Sequence, residues 1–219
     1  RGGVAECMVA WYLAGRLGLG LSTRPAGKPG KRLEFAINAE PASIHVEVKA
    51  PYVSPPLSGV FWGDDSDVIE TVMTNANKQF EPDHENLLVI VPELRFPLFK
   101  YRYPLIRAFI GEQFIVQLID KRTGGPVGPV REEFKLTGRF TKLDRRRATE
   151  SGKAYRFTRV SAVLVIEQRL GGKMIEHDVL LLHNPNAERP LRDDIWADTP
   201  QCKACGDSMS WSDGFPMTM

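Results

Sequence analysis

Residues 32–50 read RLEFAINAEPASIHVEVKA and give the clearest structural signal in the chain. Apolar and polar residues alternate on both sides of Glu40–Ser43, in the runs 33–39 and 44–50. Such alternation is typical of strands with one buried face, and Glu-Pro-Ala-Ser is a turn sequence. The stretch therefore predicts a β-hairpin with a four-residue turn over 40–43.

This turn length predicts the register of the hairpin. It places Glu34 opposite Lys49, so that Glu34, Glu47 and Lys49 project from one face. The carboxylates of Glu34 and Glu47 are then diagonal neighbours, close enough to share a cation. The apolar residues project from the other face into the core; they are Leu33, Phe35, Ile37, Ile44, Val46 and Val48.

The flanking segments carry further elements. Helical spacing over 4–17 predicts a first helix with an apolar face formed by Val4, Met8, Trp11 and Tyr12. Helical spacing returns after Asp67 and Glu70, which resemble a capping box. Residues 87–91 are continuously apolar, which predicts a strand buried on both faces, as in a parallel or mixed sheet.

Two more strands, over 160–167 and 177–183, flank a turn at Gly171–Gly172. After Pro200 the chain becomes polar and irregular. We therefore predict one α/β domain over 1–199 and a flexible tail over 200–219.

The order of these features along residues 1–92 resembles the PD-(D/E)XK, or restriction-endonuclease-like, nuclease superfamily. A helix bearing Glu6 precedes a strand with Glu34, then Glu47-Val48-Lys49, a helix and a buried strand. The resemblance implies an αβββαβ core with a central mixed sheet flanked by helices, here with an added C-terminal β portion. The sequence departs from the family pattern in having Leu33 where proline is usual and Glu34 where aspartate is usual.

The resemblance implies Mg²⁺-dependent (or Mn²⁺-dependent) phosphodiester hydrolysis of nucleic acid, as by a DNA endonuclease in defence or repair. Glu34 and Glu47 would hold the metal together with the backbone carbonyl of Val48. Lys49 would position the attacking water.

Two further residues take roles only from the resemblance. Glu6 would tune the metal site or bind a second ion. Gln79 would support Lys49 or a phosphate, although it lacks the tyrosine that accompanies it in the RecB-like branch. An alternative function is that of a catalytically inactive nuclease-fold protein that binds nucleic acid or a protein partner.

Charge is distributed unevenly beneath a net charge of +2. Residues 95–159 hold 16 lysines and arginines against 6 acids, while the rest of the chain holds 13 against 21. A basic region suits a polyanionic partner, although basic residues also cover exposed loops. The candidate phosphate contacts are Lys142, Arg145, Arg146, Arg147, Lys153 and Arg156, interleaved with aromatic residues that include Phe140 and Phe157.

The three cysteines do not form a disulfide framework, and a reducing, cytoplasmic setting is the simpler expectation. Cys202 and Cys205 make half of a zinc knuckle, but a structural zinc site needs four ligands. Two thiols in a mobile tail are the favoured interpretation, and Zn²⁺ is not expected. A small zinc-assisted interaction protein stays as a third and more remote hypothesis.

The sequence lacks the motifs that usually identify NTPases, dehydrogenases and serine hydrolases. No P-loop, dinucleotide fingerprint or Gly-x-Ser-x-Gly motif occurs. No apolar run reaches about 18 residues, so we expect no membrane span. The sequence leaves open whether the chain acts alone or as a homodimer.

Overall fold

A computed structural model of the protein describes residues 2–23, 33–51, 66–92, 108–135, 137–142, 155–171, 174–205 and 208–211. Its helices are α1 (Gly2–Ala10), continued by a π-helical turn over Trp11–Arg16, and α2 (Ser66–Gln79). The first strands are β1 (Leu21–Thr23), β2 (Phe35–Ile37), β3 (Ile44–Lys49) and β4 (Glu85–Ile90). The later strands are β5 (Glu112–Ile119), β6 (Pro126–Lys135), β7 (Ala162–Gly171), β8 (Met174–His183), β9 (Gln201–Cys205) and β10 (Ser208–Trp211).

The central sheet has eight strands in the order β1-β2-β3-β4-β7-β8-β9-β10. Its pairs β3–β4, β4–β7 and β8–β9 are parallel, and the other pairs are antiparallel. The predicted α/β class with a mixed central sheet is confirmed. Strand β4 lies in the middle and is buried on both faces, as its continuous apolar sequence indicated.

Each helix covers one face of this sheet. The α1-side core joins the buried face of α1 to alternate residues of the strands, among them Met8, Val9, Ile44, Val46, Val48 and Val89. The α2-side core contains the intervening residues with the apolar face of α2, among them Ile69, Met73, Leu88, Ile90, Val163 and Val165. The alternation follows from the pleat of the strands.

The hairpin register differs from the prediction by two residues. Phe35 pairs with Val46 and Ile37 with Ile44, because the connection spans six residues, 38–43, rather than four. The backbone N–H of Asn38 does not pair with β3; it donates to the carbonyl of Gly20, beside β1. A shift of two residues preserves the face of every side chain within the strands.

Other expectations at the two ends of the chain are wrong. Val4 and Trp11 are exposed, and the buried face of the first helix consists of Ala5, Met8, Val9, Tyr12 and Leu13. The irregular tail predicted from residue 200 instead contains β9 and β10, which extend the sheet. Residues 212–219 lie outside the described ranges.

Strands β5 and β6 form a separate two-stranded ribbon. Its far end exposes Leu118, Ile119, Val127 and Val130. Among the described helices, none has the length and apolarity that crossing a membrane requires.

Candidate active site

Glu47 lies near the centre of the sheet and points toward the α2 side. It pairs in register with Leu88, and Lys49 pairs with Ile90. Residues paired across neighbouring strands share a face, and both of these partners belong to the α2-side core. Glu47 is fully buried, whereas the side chain of Lys49 is 27% exposed, so the lysine connects the buried carboxylate to solvent.

Glu34 lies immediately before β2 and is fixed by the backbone of β3. The N–H of Val48 donates to its carboxylate oxygen Oε2 at 3.1 Å. The carbonyl of the next residue, Lys49, accepts from Val91 on the other side of β3. Because successive residues of a strand direct their backbone groups to opposite sides, the Val48 carbonyl also faces the side of Glu34.

The position of Leu33 explains why the backbone N–H of Val48 binds the Glu34 side chain and not a neighbouring strand. The prediction placed Leu33 with Phe35 and Ile37, but its side chain packs in the α2-side core while theirs pack in the α1-side core. The chain therefore leaves the strand alternation before Phe35. The Glu34 carboxylate occupies the position at Val48 that a continued β2 would fill.

The carboxyl of Glu47 has an unusual environment. Its Oε1 accepts from the Lys49 ammonium, while its Oε2 is buried without a hydrogen-bond partner among the described residues. Burial and, to a lesser extent, the adjacent Glu34 carboxyl raise the pKa of Glu47 to about 8 against the opposing effect of Lys49. In the absence of another cation, the carboxyl of Glu47 is therefore largely protonated at neutral pH.

These oxygens fit a small, hard divalent cation. Glu34 and Glu47 offer two carboxylates and Val48 one backbone carbonyl, and within the described part of the chain Oε2 of Glu47 has no hydrogen-bond partner. Mg²⁺ is often held by one or two carboxylates while waters and phosphate oxygens complete its shell. The described residues contain no group of three His, Cys, Asp or Glu side chains that could hold a metal.

His45 adds a feature that the sequence reasoning missed. It lies two residues before Glu47 on the same face, is buried, and stacks on His84 with ring centroids 3.9 Å apart. Burial lowers the pKa of His45 to about 4, so its imidazole is neutral near pH 7. A histidine within an alternating strand gave no signal that distinguished it from an ordinary polar position.

Glu6 and Gln79 do not join this site in the described contacts. Glu6 lies on α1, whose buried residues pack against the opposite face of the sheet from Glu47. Helix α2 runs antiparallel to the strands, since it connects the parallel strands β3 and β4. Its last residue, Gln79, is therefore near the start of β4, about 17 Å along the strand from Ile90 and Lys49.

The predicted basic residues are only partly described. Lys142 and Arg156 both bind the carboxylate of Glu70 on α2, as does Arg139, which the sequence reasoning did not single out. Arg145, Arg146, Arg147 and Lys153 lie outside the described residues. Phe140 and Phe157 are buried in the α2-side core, so the expectation that they could stack bases is wrong.

The cysteine pair does not form a knuckle turn. Both residues lie within strand β9, and Cys202 is fully buried in the α2-side core. The side chain of Cys205 is outside the described part of the structure. The nearby His183 shares a 2.8 Å hydrogen bond with Gln201.

No protein-family model matches the chain, and no curated protein or solved structure shows significant similarity to it.

Proposed function

We propose that the protein is a nucleic-acid phosphodiesterase that depends on Mg²⁺ or Mn²⁺, with its active site at Glu34, Glu47 and Lys49. The observation that carries this proposal is the adjacent pair of carboxyl groups of Glu34, immediately before β2, and Glu47 on β3; Oε2 of Glu47 is buried without a hydrogen-bond partner among the described residues. The described elements through β4 run helix, three strands, helix, strand. This order supports the proposal, because the resemblance to the restriction-endonuclease-like superfamily implies the same order; Glu34 lies immediately before β2 and Glu47 lies on β3.

Each residue has a definable role in this chemistry. Glu34, Glu47 and the Val48 carbonyl would hold the divalent ion. When bound, such an ion lowers the pKa of a coordinated water and offsets charge on the phosphodiester. Lys49 reaches from Glu47 toward solvent, where its ammonium could orient the attacking water and contact a phosphate oxygen.

The proposal is tested by incubating supercoiled plasmid and single-stranded DNA with purified protein in Mg²⁺ or Mn²⁺. We expect cleavage by the wild type and a loss of at least about a hundredfold in Lys49→Ala, the order of magnitude of one lost electrostatic contact in a transition state. Lys78→Ala, which removes an exposed lysine from α2, is the matched control and should cleave normally. Equal cleavage by Lys49→Ala and wild type would refute the assigned mechanism.

A second candidate function is nucleic-acid binding without hydrolysis. It is favoured by the hydrogen bond that Lys49 donates to Glu47 and by the raised pKa of Glu47, which together let the buried carboxyl exist without a metal. This candidate predicts that the wild type binds DNA but does not cleave it with either metal. Metal-dependent cleavage that Lys49→Ala abolishes would eliminate it.

A further inference from the structure

Three basic side chains converge on one carboxylate at the surface of α2. Lys142 Nζ lies 2.6 and 2.7 Å from the two carboxylate oxygens of Glu70. Arg156 Nη1 lies 2.7 Å and Arg139 Nη1 3.0 Å from the same carboxylate. We call Arg139, Lys142 and Arg156 the basic triad.

Glu70 neutralises only part of the charge of the triad. Lys142 and the two arginines hold the pKa of Glu70 below its ordinary value, so it stays ionised at neutral pH. Among the described residues of this region, three cations and one anion leave an excess of two positive charges. The basic side chains are 19–37% exposed, so an oxyanion from solvent can reach them. Guanidinium groups also carry more N–H donors than one carboxylate contact uses.

The triad is held by the core rather than displayed on a free loop. The amide of Asn77 on α2 donates to the carbonyl of Arg156 and accepts from the N–H of Arg159. The neighbouring rings of Phe140 and Phe157 are buried. Cations fixed in this way lose little conformational freedom when they bind a phosphate, which favours a binding site over a solvated patch.

The triad lies on the α2 side of the sheet, as Lys49 does. Its backbone is held near the start of β4, because Asn184, which follows β8 beside that end, donates to the carbonyl of Phe157. Ile90, the partner of Lys49, lies at the other end of β4, about 17 Å along the strand. The triad and Lys49 therefore share a face of the sheet, while the triad backbone lies toward the opposite end.

We propose that Arg139, Lys142 and Arg156 form a phosphate-binding site that holds the nucleic-acid backbone on the α2 side of the sheet, the side toward which Glu47 and Lys49 point. This inference rests on the proposed function for its ligand. It assigns to the triad a contact with a phosphate that is separate from the one facing Glu47 and Lys49.

The test measures binding of a short fluorescein-labelled DNA duplex by anisotropy, in EDTA, over a series of salt concentrations. We expect each of Arg139→Gln, Lys142→Gln and Arg156→Gln to weaken binding roughly tenfold, as for a lost charged hydrogen bond. Each should also reduce the slope of log K against log salt by about one. Arg156→Lys should keep the slope, because it keeps the charge.

Lys203→Gln is the matched control, since Lys203 also pairs with a carboxylate, that of Asp193, but lies on β9. It should bind as the wild type does. Folded triad variants that keep the wild-type affinity and slope would overturn the proposal. So would a chain that binds polyglutamate but not DNA, since the triad would then serve an acidic polypeptide.

The two proposals fail separately in this design. Binding in EDTA needs no hydrolysis, so loss of binding in the triad variants supports the phosphate site even if the wild type cleaves nothing. Conversely, cleavage that depends on Lys49, together with unchanged binding by the triad variants, would leave the hydrolytic function standing and remove the phosphate site.

Discussion

The carboxylate of Glu34 accepts a 3.1 Å hydrogen bond from the backbone N–H of Val48. This bond attaches the first acid of the candidate site to the strand that carries the second acid, Glu47. The position of Glu34 is therefore set by the β3 backbone as well as by its own strand. An amide at residue 34 could accept the same bond, which allows the charge to be removed without removing the contact.

Divalent metal should stabilise the folded chain through both acids. With Mn²⁺ at 10–100 times its Kd, we expect roughly 1.4–2.7 kcal/mol of stabilisation, or about 3–10 °C in Tm. Glu34→Gln and Glu47→Gln should fold but lose this shift, because each removes one anionic ligand. Differential scanning fluorimetry at pH 8 measures this metal-dependent shift in Tm. The exposed Glu40→Gln serves as control, and a full Mn²⁺ shift in Glu47→Gln would contradict the assignment of the ligands.

Glu47 should make the metal-free protein less stable as pH rises. Its ordinary pKa of 4.5 rises to about 8 in the folded chain, so between these values the folded state binds a proton that the unfolded state lacks. The contribution of Glu47 to stability is therefore greatest at or below about pH 4.5. It declines as the pH rises to about 8 and changes little above that.

Urea denaturation in EDTA at pH 5.5, 6.5 and 7.5 tests this titration. These pH values lie between the ordinary pKa of Glu47, 4.5, and its pKa of about 8 in the folded chain. Glu47→Gln, which mimics the protonated carboxyl, should flatten the decline, whereas Glu40→Gln should retain it. A wild type and a Glu47→Gln variant with the same pH dependence would show that Glu47 does not carry the extra proton.

Arg192 should be a major contributor to hairpin stability. Its guanidinium binds the carboxylate of Glu85 and the backbone carbonyls of Glu40 and Ala42, so it connects the turn before β3 to the start of β4. Arg192→Met should reduce the free energy of unfolding by roughly 2–3 kcal/mol. Arg189→Met, three residues earlier and exposed, should change it by less than about 0.5 kcal/mol. Equal chemical-denaturation midpoints for the two variants would contradict this role.

Gly138 should not tolerate a side chain. A Cβ at this position would overlap the backbone of Phe109 and Ile110, and the Gly138 N–H donates to the Ile110 carbonyl at 3.0 Å. Gly138→Ala should therefore destabilise the protein by about 1–3 kcal/mol, as overpacking does. Gly125→Ala, where the nearest atom is 3.6 Å away, is the control. Thermal denaturation that ranks Gly125→Ala as the more damaging change would refute the predicted overlap.

The sequence predicted which face of the hairpin carries the acids more reliably than it predicted their partners. Alternation has a period of two, so the difference between a four-residue and a six-residue connection moved Glu34 from Lys49 toward Glu47 without changing its face. The burial of Leu33 on the α2 side could not be predicted, because the alternation in the sequence begins at Leu33 whereas strand β2 begins only at Phe35. Its burial on the α2 side depends on the packing of α2 against the sheet.

The basic triad could be anticipated only as local charge. Glu70 resembled a capping residue, and no periodic pattern linked it to Arg139, Lys142 or Arg156, which follow it by about 70 to 86 residues. Contacts at such separations arise from the sheet order, which local spacing does not encode. The same is true of β9, because its polar sequence gave no sign that Cys202 would enter the core.

The central position of β4 determines when the candidate site can assemble during synthesis. All the proposed ligands precede residue 50, yet one edge of β4 pairs with β7, at residues 162–165. A nascent chain that ended after β4 would present an apolar strand with one unpaired edge, which is a template for aggregation. The residues of the site are therefore synthesised before the strand that completes the sheet around them. We infer that the first 92 residues cannot be transplanted as an autonomous catalytic module.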